Sequence, residues 1–411
     1  MFKQIIKNTS WLFLAEAINK GTFFLISIII ARSFGTELFG QFNYAISFVI
    51  IFSIIADFGI NNLVIREIAR DKDVAASLIG NSLIIKIFLS ILTFILIIIS
   101  TIFTPSSLEV NIMVYILSFY IIFNSYNTFS KSIYRAFEKM KFETSLKFLE
   151  SMILLLYVVI VSVYIKDLKI LILGFVVASF ITFLISIKWI KKYFTKFNFR
   201  LDKKIILFLI KEAWPFALAG IFVTLYFNID TLMVSWMKGN IETGFYSAAY
   251  NFIFAALLIP ALANASFYPI LSREYKNLFV IKKQIIKYLY LTLGLGIFIS
   301  IMLILLSEFL IIAIYGNGYI NSIYSLKILA LVIPFLFIFN YLGVIFSSIN
   351  RQLIVTTVSF IGIVINIILN FYLINKFGQV GAAIASLITI IIMLILFIFY
   401  YKFNSKLIYE K

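Results

Sequence analysis

The sequence predicts an all-α membrane protein of twelve transmembrane helices in two six-helix bundles. Three observations carry that expectation. The 411 residues are 63% hydrophobic and only 13% charged, too few polar side chains to cover a water-facing surface. Twelve apolar stretches, each about the length of a bilayer crossing, fill the chain almost from end to end. The same landmarks recur in both halves.

Spans are expected near residues 10–31, 40–63, 77–103, 110–130, 146–165 and 169–189, then near 212–236, 244–268, 285–307, 324–348, 353–374 and 379–401. A β-barrel would need strands of alternating polarity separated by turns, and runs such as residues 84–99 show none. The first span is longer than a signal-peptide core and has no small-residue cleavage site after it, so it is expected to stay as a helix.

The longest polar interval, residues 188–211, separates the halves. It sets expected domains of 1–195 and 207–411 around a basic linker at 196–206. Trp11 and Trp214 open the first span of each half, and Gly40 and Gly244 follow them by 29 and 30 residues. Each glycine comes shortly after an acid, Glu37 or Glu242, and starts an aromatic, small-residue opening. The helices then end near Arg66-Glu67 and Arg273-Glu274. Six spans per half preserve orientation, so the repeat is expected to be parallel, with substrate held where the halves meet.

The formal net charge is +17, yet 27 of the 35 basic residues fall on one side of the expected spans. That places both termini and the central loop in the cytoplasm, with the basic loops facing anionic headgroups rather than nucleic acid. The chain has no cysteine and no histidine, which removes thiol or imidazole catalysis, disulfides and Cys/His metal sites. No G-x-x-x-x-G-K-[ST] loop is present, so transport would draw on gradients rather than ATP.

Polar side chains within spans are the candidate site, because a charge near the bilayer centre costs about 3 kcal/mol on insertion scales. Glu16, Asn19 and Lys20 share a face of span 1, and Glu16 precedes Lys20 by four, the order that favours a helical ion pair. They read either as a substrate or proton site or as a self-neutralised pair. Stripes follow on span 2 (Asn43, Ser47, Asp57, Asn61), span 4 (Tyr120, Asn124, Asn127, Lys131), span 10 (Asn340, Ser347, Arg351) and span 11 (Ser359, Asn366, Asn370). Asn251 adds a further amide on span 8. Each alone can bond between packed helices; as a set they are expected to line a hydrated cavity. Lys86 has no acid nearby in sequence and is expected to face the cavity or pair with Asp57 or Glu16. Asp230 sits near the outer end of span 7, and Arg32 and Arg66 sit at span ends as anchors or anion ligands. Pro215, Pro260 and Pro334 permit kinks.

Three segments carry a resemblance. They are ARSFGTELFGQFNYAISFVIIFSIIADFGINNLVIREIAR (31–70), FNIDTLMVSWMKGNIETGFYSAAYNF (227–252) and KFGQVGAAIASLIT (376–389). Together they resemble the polysaccharide, or O-antigen, flippase family of the multidrug/oligosaccharidyl-lipid/polysaccharide exporter superfamily. The resemblance implies a V-shaped pair of bundles in a bacterial inner membrane. It implies no cofactor, and movement of undecaprenyl-diphosphate-linked O-antigen or capsule units from the cytoplasmic to the outer leaflet by alternating access. Its cationic cavity would be filled here by Arg32, Arg66, Lys86 and Lys20, with Glu16, Asp57 or Asp230 available for ion coupling. Partners would be the lipid-linked glycan, membrane lipids and other polysaccharide-assembly membrane proteins. The rival within the superfamily is a cation-coupled multidrug exporter, dependent on acids rather than bases. A glycan polymerase would present a large outer loop, whereas the longest outer interval, 308–323, carries only Glu308 as a charge.

Overall fold

Breaks in twelve long apolar helices organise the chain. The structure, a computed structural model, describes residues 2–195, 199–260, 278–348 and 351–403. The first half runs α1 (Phe2–Asp57), α2 (Ile60–Arg70), α3 (Ala75–Ile102), α4 (Leu108–Ala136), α5 (Met140–Ile160) and α6 (Leu168–Tyr193). The second runs α7 (Lys203–Lys238), α8 (Asn240–Ala256), α9 (Leu278–Leu305), α10 (Ser307–Tyr315), α11 (Ser322–Ser348), α12 (Gln352–Phe377) and α13 (Gln379–Phe403). No strand occurs among the described residues. Among the described residues eleven stretches are long and apolar enough to cross a membrane, and the first of them, Ser10–Arg70, holds two crossings because the helix breaks at Gly35. The expected twelve helices are therefore present. The span expected over 244–268 is described as far as Pro260.

Local chemistry sets the ends. Ser107 caps α4 by accepting from the Val110 N–H, and Asp167 caps α6 by accepting from the N–H groups of Lys169 and Ile170. The outer interval expected at 308–323 is largely helical, as α10 followed by the 3-10 turn Asn317–Tyr319.

The chain divides into two compact units, Met1–Phe34 with Gln41–Thr224, and Gly35–Gly40 with Leu225–Lys411. In the first, α4 packs on α6, α5 on α6 and α2 on α4. In the second, α11 packs on α8, α9 and α13, and α12 packs on α13. The first part of α7 belongs to the first unit and its remainder, with Asp230, to the second.

The repeat read in the sequence reappears in backbone geometry. Gly35 has φ 78° and ψ −178°, and Gly239, 204 positions later, has φ 86° and ψ −177°. Only glycine adopts that region without strain. The turn that follows Gly35 lies inside the second unit, with Phe39 among Tyr315 and Tyr319 at ring distances of 6.2 and 6.0 Å. There Gly40 and Gly244 make a close crossing. A Cβ on Gly40 would overlap the Asn240 carbonyl, and one on Gly244 would overlap that of Thr36. This is the small-residue packing by which membrane helices approach closely. Gly40→Val is expected to destabilise the fold by about 1–3 kcal/mol through overpacking. Thermal unfolding of the purified protein measures it, and a wild-type midpoint would mean the crossing yields freely.

Candidate functional site

In the first unit the helix break after Asp57 builds one buried centre. Phe58 (φ 48°) and Gly59 (φ 75°) leave the helical region, so α1 ends there and its last carbonyls lack partners within the helix. Lys86 and Ser125 supply one for the Ala56 carbonyl. Lys86 Nζ donates to the Ala56 carbonyl at 3.0 Å and to Ser125 Oγ at 2.7 Å, and Ser125 Oγ donates to the same carbonyl at 3.1 Å. Asp57 Oδ1 lies 3.6 Å from the ammonium, an ion pair on the negative end of the helix dipole. The rings of Tyr126 and Phe129 stand 5.9 and 5.7 Å from it. Lys86 is 0% exposed. Of the two places expected for it, this structure shows the pair with Asp57.

A second array runs across α1, α4 and α5. Each helix brings one face to it: Glu16 and Lys20 on α1, Lys131 and Arg135 on α4, and Glu143, Lys147 and Glu150 on α5, at spacings of three or four residues. Glu143 is wholly buried and takes both prongs of Arg135, at 2.7 and 2.6 Å. Lys147 Nζ reaches Glu16 at 2.5 Å and Glu143 at 3.6 Å, and Lys131 lies 3.6 Å from Glu150. Glu16 thus bonds a lysine from α5 rather than Lys20, its expected partner on the same helix; Lys20 interacts electrostatically with both Glu16 and Lys147. Glu16, Lys20 and Lys131 stand among the polar residues expected within spans, whereas Arg135, Glu143, Lys147 and Glu150 do not. The signal was present in the alternating charges of 143, 147 and 150, which fall on one helical face.

The other cations are dispersed. Arg66 bonds Glu67 at 2.7 Å and Glu212 at 3.1 Å, tying α2 to the start of α7, while Arg32 is exposed at the end of the first span. Among the amides of this unit, Asn43 is buried and Asn124 is half-buried. Asn127 Nδ2 clamps α4 to α6 through the Ser179 carbonyl and Thr182 Oγ1, both at 2.9 Å.

In the second unit the structure gathers three expected residues. Asp230 is 4% exposed and accepts from Tyr246 Oη at 2.8 Å, from Asn370 Nδ2 at 2.6 Å and from Ser386 Oγ. Asn370 Nδ2 also donates to Asn366 Oδ1 at 3.0 Å. Helices α7, α8, α12 and α13 therefore meet on one carboxylate. Asn370 Oδ1 is buried without a hydrogen-bond partner, and Asp230 has no ion pair, among the described residues. A carboxylate, amide oxygens and hydroxyls form a set suited to a proton or a hard cation. Asn251 Nδ2 donates to Tyr315 Oη at 3.3 Å, and Asn340 Nδ2 turns back to the Leu336 carbonyl at 2.9 Å. Tyr246 and Ser386 were not singled out in the sequence, since a hydroxyl on an apolar helix gives no sign of which neighbour it meets.

Comparison with known proteins places this geometry. The profile described as polysaccharide biosynthesis protein matches residues 5–275, and that described as MatE matches 215–372. The uncharacterized membrane protein MJ1375 of Methanocaldococcus jannaschii is 25% identical over 96% of this chain and 97% of its own length. The capsular polysaccharide biosynthesis protein CapF of Staphylococcus aureus is 22% identical over 97% and 99%. Among solved structures, the lipid II flippase MurJ in an inward closed conformation shares the fold, with TM-score 0.78, 21% identity and coverage of 95% and 87%. A transporter fold, a multi-pass membrane architecture and a family match across most of the chain converge. The chain belongs to the polysaccharide biosynthesis protein family.

Proposed function

We propose that the protein is a flippase carrying undecaprenyl-diphosphate-linked oligosaccharide, an O-antigen or capsule repeat unit, from the cytoplasmic to the outer leaflet by alternating access. The family match over residues 5–275 carries this reading, and the similarity to a capsular polysaccharide biosynthesis protein supports the substrate class. The polyprenyl tail stays in lipid while the sugar–diphosphate head passes through the protein. Basic side chains, drawn from Lys20, Arg32 and Arg66, meet the diphosphate, and amides such as Asn43, Asn124 and Asn251 meet sugar hydroxyls. Both termini lie in the cytoplasm of a bacterial inner membrane, in keeping with the basic residues clustered on one side. Two negative charges moving outward through an inside-negative potential gain about 4–5 kcal/mol per 100 mV if both cross the whole field. The cluster around Asp230 adds an ion-coupling site, and the protein works beside other membrane proteins of polysaccharide assembly.

The MatE match, which covers Asp230, Asn366 and Asn370, favours a second reading, a cation-coupled multidrug exporter. One preparation separates the two. Purified protein in liposomes is given a fluorescent polyprenyl-diphosphate oligosaccharide on one leaflet, and parallel vesicles are loaded with a cationic dye. Protein-dependent translocation of the lipid, faster under an inside-negative potential, is expected. Dye efflux driven by a cation gradient, with no lipid movement across several glycans, would replace the flippase reading.

A further inference from the structure

The array on α1, α4 and α5 is not charge-balanced. Lys20, Lys131, Arg135 and Lys147 face three carboxylates, Glu16, Glu143 and Glu150. Lys131 and Lys147 are the buried cations, whereas Arg135 is 40% exposed and Lys20 is half-buried, so the surplus charge lies at the more open part of the array that also holds Glu16. Exposure is also graded along it. The side chain of Glu143 is 0% exposed and that of Lys147 is 7%, whereas that of Glu16 is 39%. The outermost acid therefore has room to swing away from the array, while the lysine it holds stays buried beside Glu143 at 3.6 Å. Arg135 in turn fixes Glu143 from the opposite side by two hydrogen bonds.

We propose that this array is a carboxylate-exchange site for phosphoryl groups, in which a diphosphate displaces Glu16 from Lys147 and Lys20. The inference deepens the flippase reading and rests on it for the identity of the lipid carrier. With Glu16 swung out, four cations face two carboxylates, a surplus of two charges that matches the two negative charges of a diphosphate diester. Exchange leaves no buried cation bare at any stage, and it avoids the penalty of several kcal/mol for an unpaired charge away from water. Phosphate oxygens bond ammonium groups at least as well as carboxylate oxygens do, so the anion that arrives holds Lys147 in the position Glu16 held it. Glu16 here is a competitor for the site and Lys20 a contributor to it, so their removal acts in opposite directions. A purely structural role for the ladder predicts no such opposition.

The test uses the full-length protein in phosphatidylcholine nanodiscs with a farnesyl-diphosphate-linked sugar, a diphosphate diester, as the probe. Glu16→Gln is expected to bind about tenfold more tightly than wild type and Lys20→Gln about tenfold more weakly, each about 1.4 kcal/mol. Equal or weaker binding by a folded Glu16→Gln protein overturns the proposal. Should that variant fail to fold, Lys20→Gln decides, and unchanged affinity there overturns it. Replacing half the lipid by phosphatidylglycerol separates the phosphate sources. Retained binding supports the diphosphate, and loss of probe binding assigns the cations to bilayer headgroups instead. Translocation of the lipid-linked glycan is measured alongside. If the wild type translocates and both variants match it in rate and half-saturation, this site is overturned and the flippase reading stands. If the wild type moves no lipid while binding follows the expected order, the flippase reading fails and the exchange site stands.

Discussion

Asp230→Asn is expected to abolish the response to sodium or to protons that the proposed ion-coupling site would give, while leaving the fold intact. The carboxylate is buried and has no ion pair among the described residues, so a negative charge there costs about 3 kcal/mol unless a proton or metal cation joins it. Tyr246, Asn370 and Ser386 all donate to it, which holds the oxygens in place and leaves Asn370 Oδ1 over as a further acceptor. Asparagine keeps the shape and one acceptor but loses the charge. Sodium at 100 times its dissociation constant would stabilise the wild type by about 2.7 kcal/mol. Thermal unfolding in sodium and in choline chloride, repeated across pH, reads this directly. A sodium-induced or pH-induced shift of the same size in wild type and Asp230→Asn would remove Asp230 from the coupling role. Asp230→Ala should do more harm, because three donors lose their acceptor at about 1–3 kcal/mol for each one left unsatisfied.

Lys86→Met should lower stability by about 3–5 kcal/mol, the usual consequence of taking one partner from a buried ion pair. Methionine fills similar space, so the loss isolates the ammonium and its bonds to Ala56, Ser125 and Asp57. The double variant Lys86→Met with Asp57→Asn should recover much of the loss, since no charge is then left alone. The measurement is thermal unfolding of the four proteins of that cycle. If Lys86→Met instead unfolds with the wild type and loses only transport, Lys86 is a substrate group, the role its family resemblance implies. The location favours the first outcome: its ammonium makes two hydrogen bonds and an ion pair at the C-terminal end of a broken helix, and none of the side chain is exposed.

Much of the fold was legible in the chain because the bilayer imposes it. An apolar solvent demands that every backbone group bond internally, so apolar runs of about twenty residues must be helices. Their number and approximate ends then follow from hydropathy. The repeat was legible for a related reason, since the recurring turn has a backbone conformation that only glycine accepts, at Gly35 and again at Gly239. The candidate residues were legible as a class, because a polar side chain inside a span is costly wherever it lies.

What each polar residue does was decided by tertiary structure. Asn127 and Asn370 look alike in the sequence, each an amide on an apolar helix, yet one clamps α4 to α6 and the other bonds a buried carboxylate. Glu16 looked paired with Lys20 because only neighbours on one helix can be read from spacing; in the fold Lys147, 131 residues away, lies at 2.5 Å. Likewise Lys131, Arg135 and Lys147 could be counted by side of the membrane but not matched to Glu150 and Glu143. By itself the sequence determined that the protein spans a membrane as helices, how often, and which of its residues are too polar to be idle there. Only the tertiary structure decided their partners, because the cost of a buried charge depends on atoms within a few ångströms, and helix packing alone brings those atoms together.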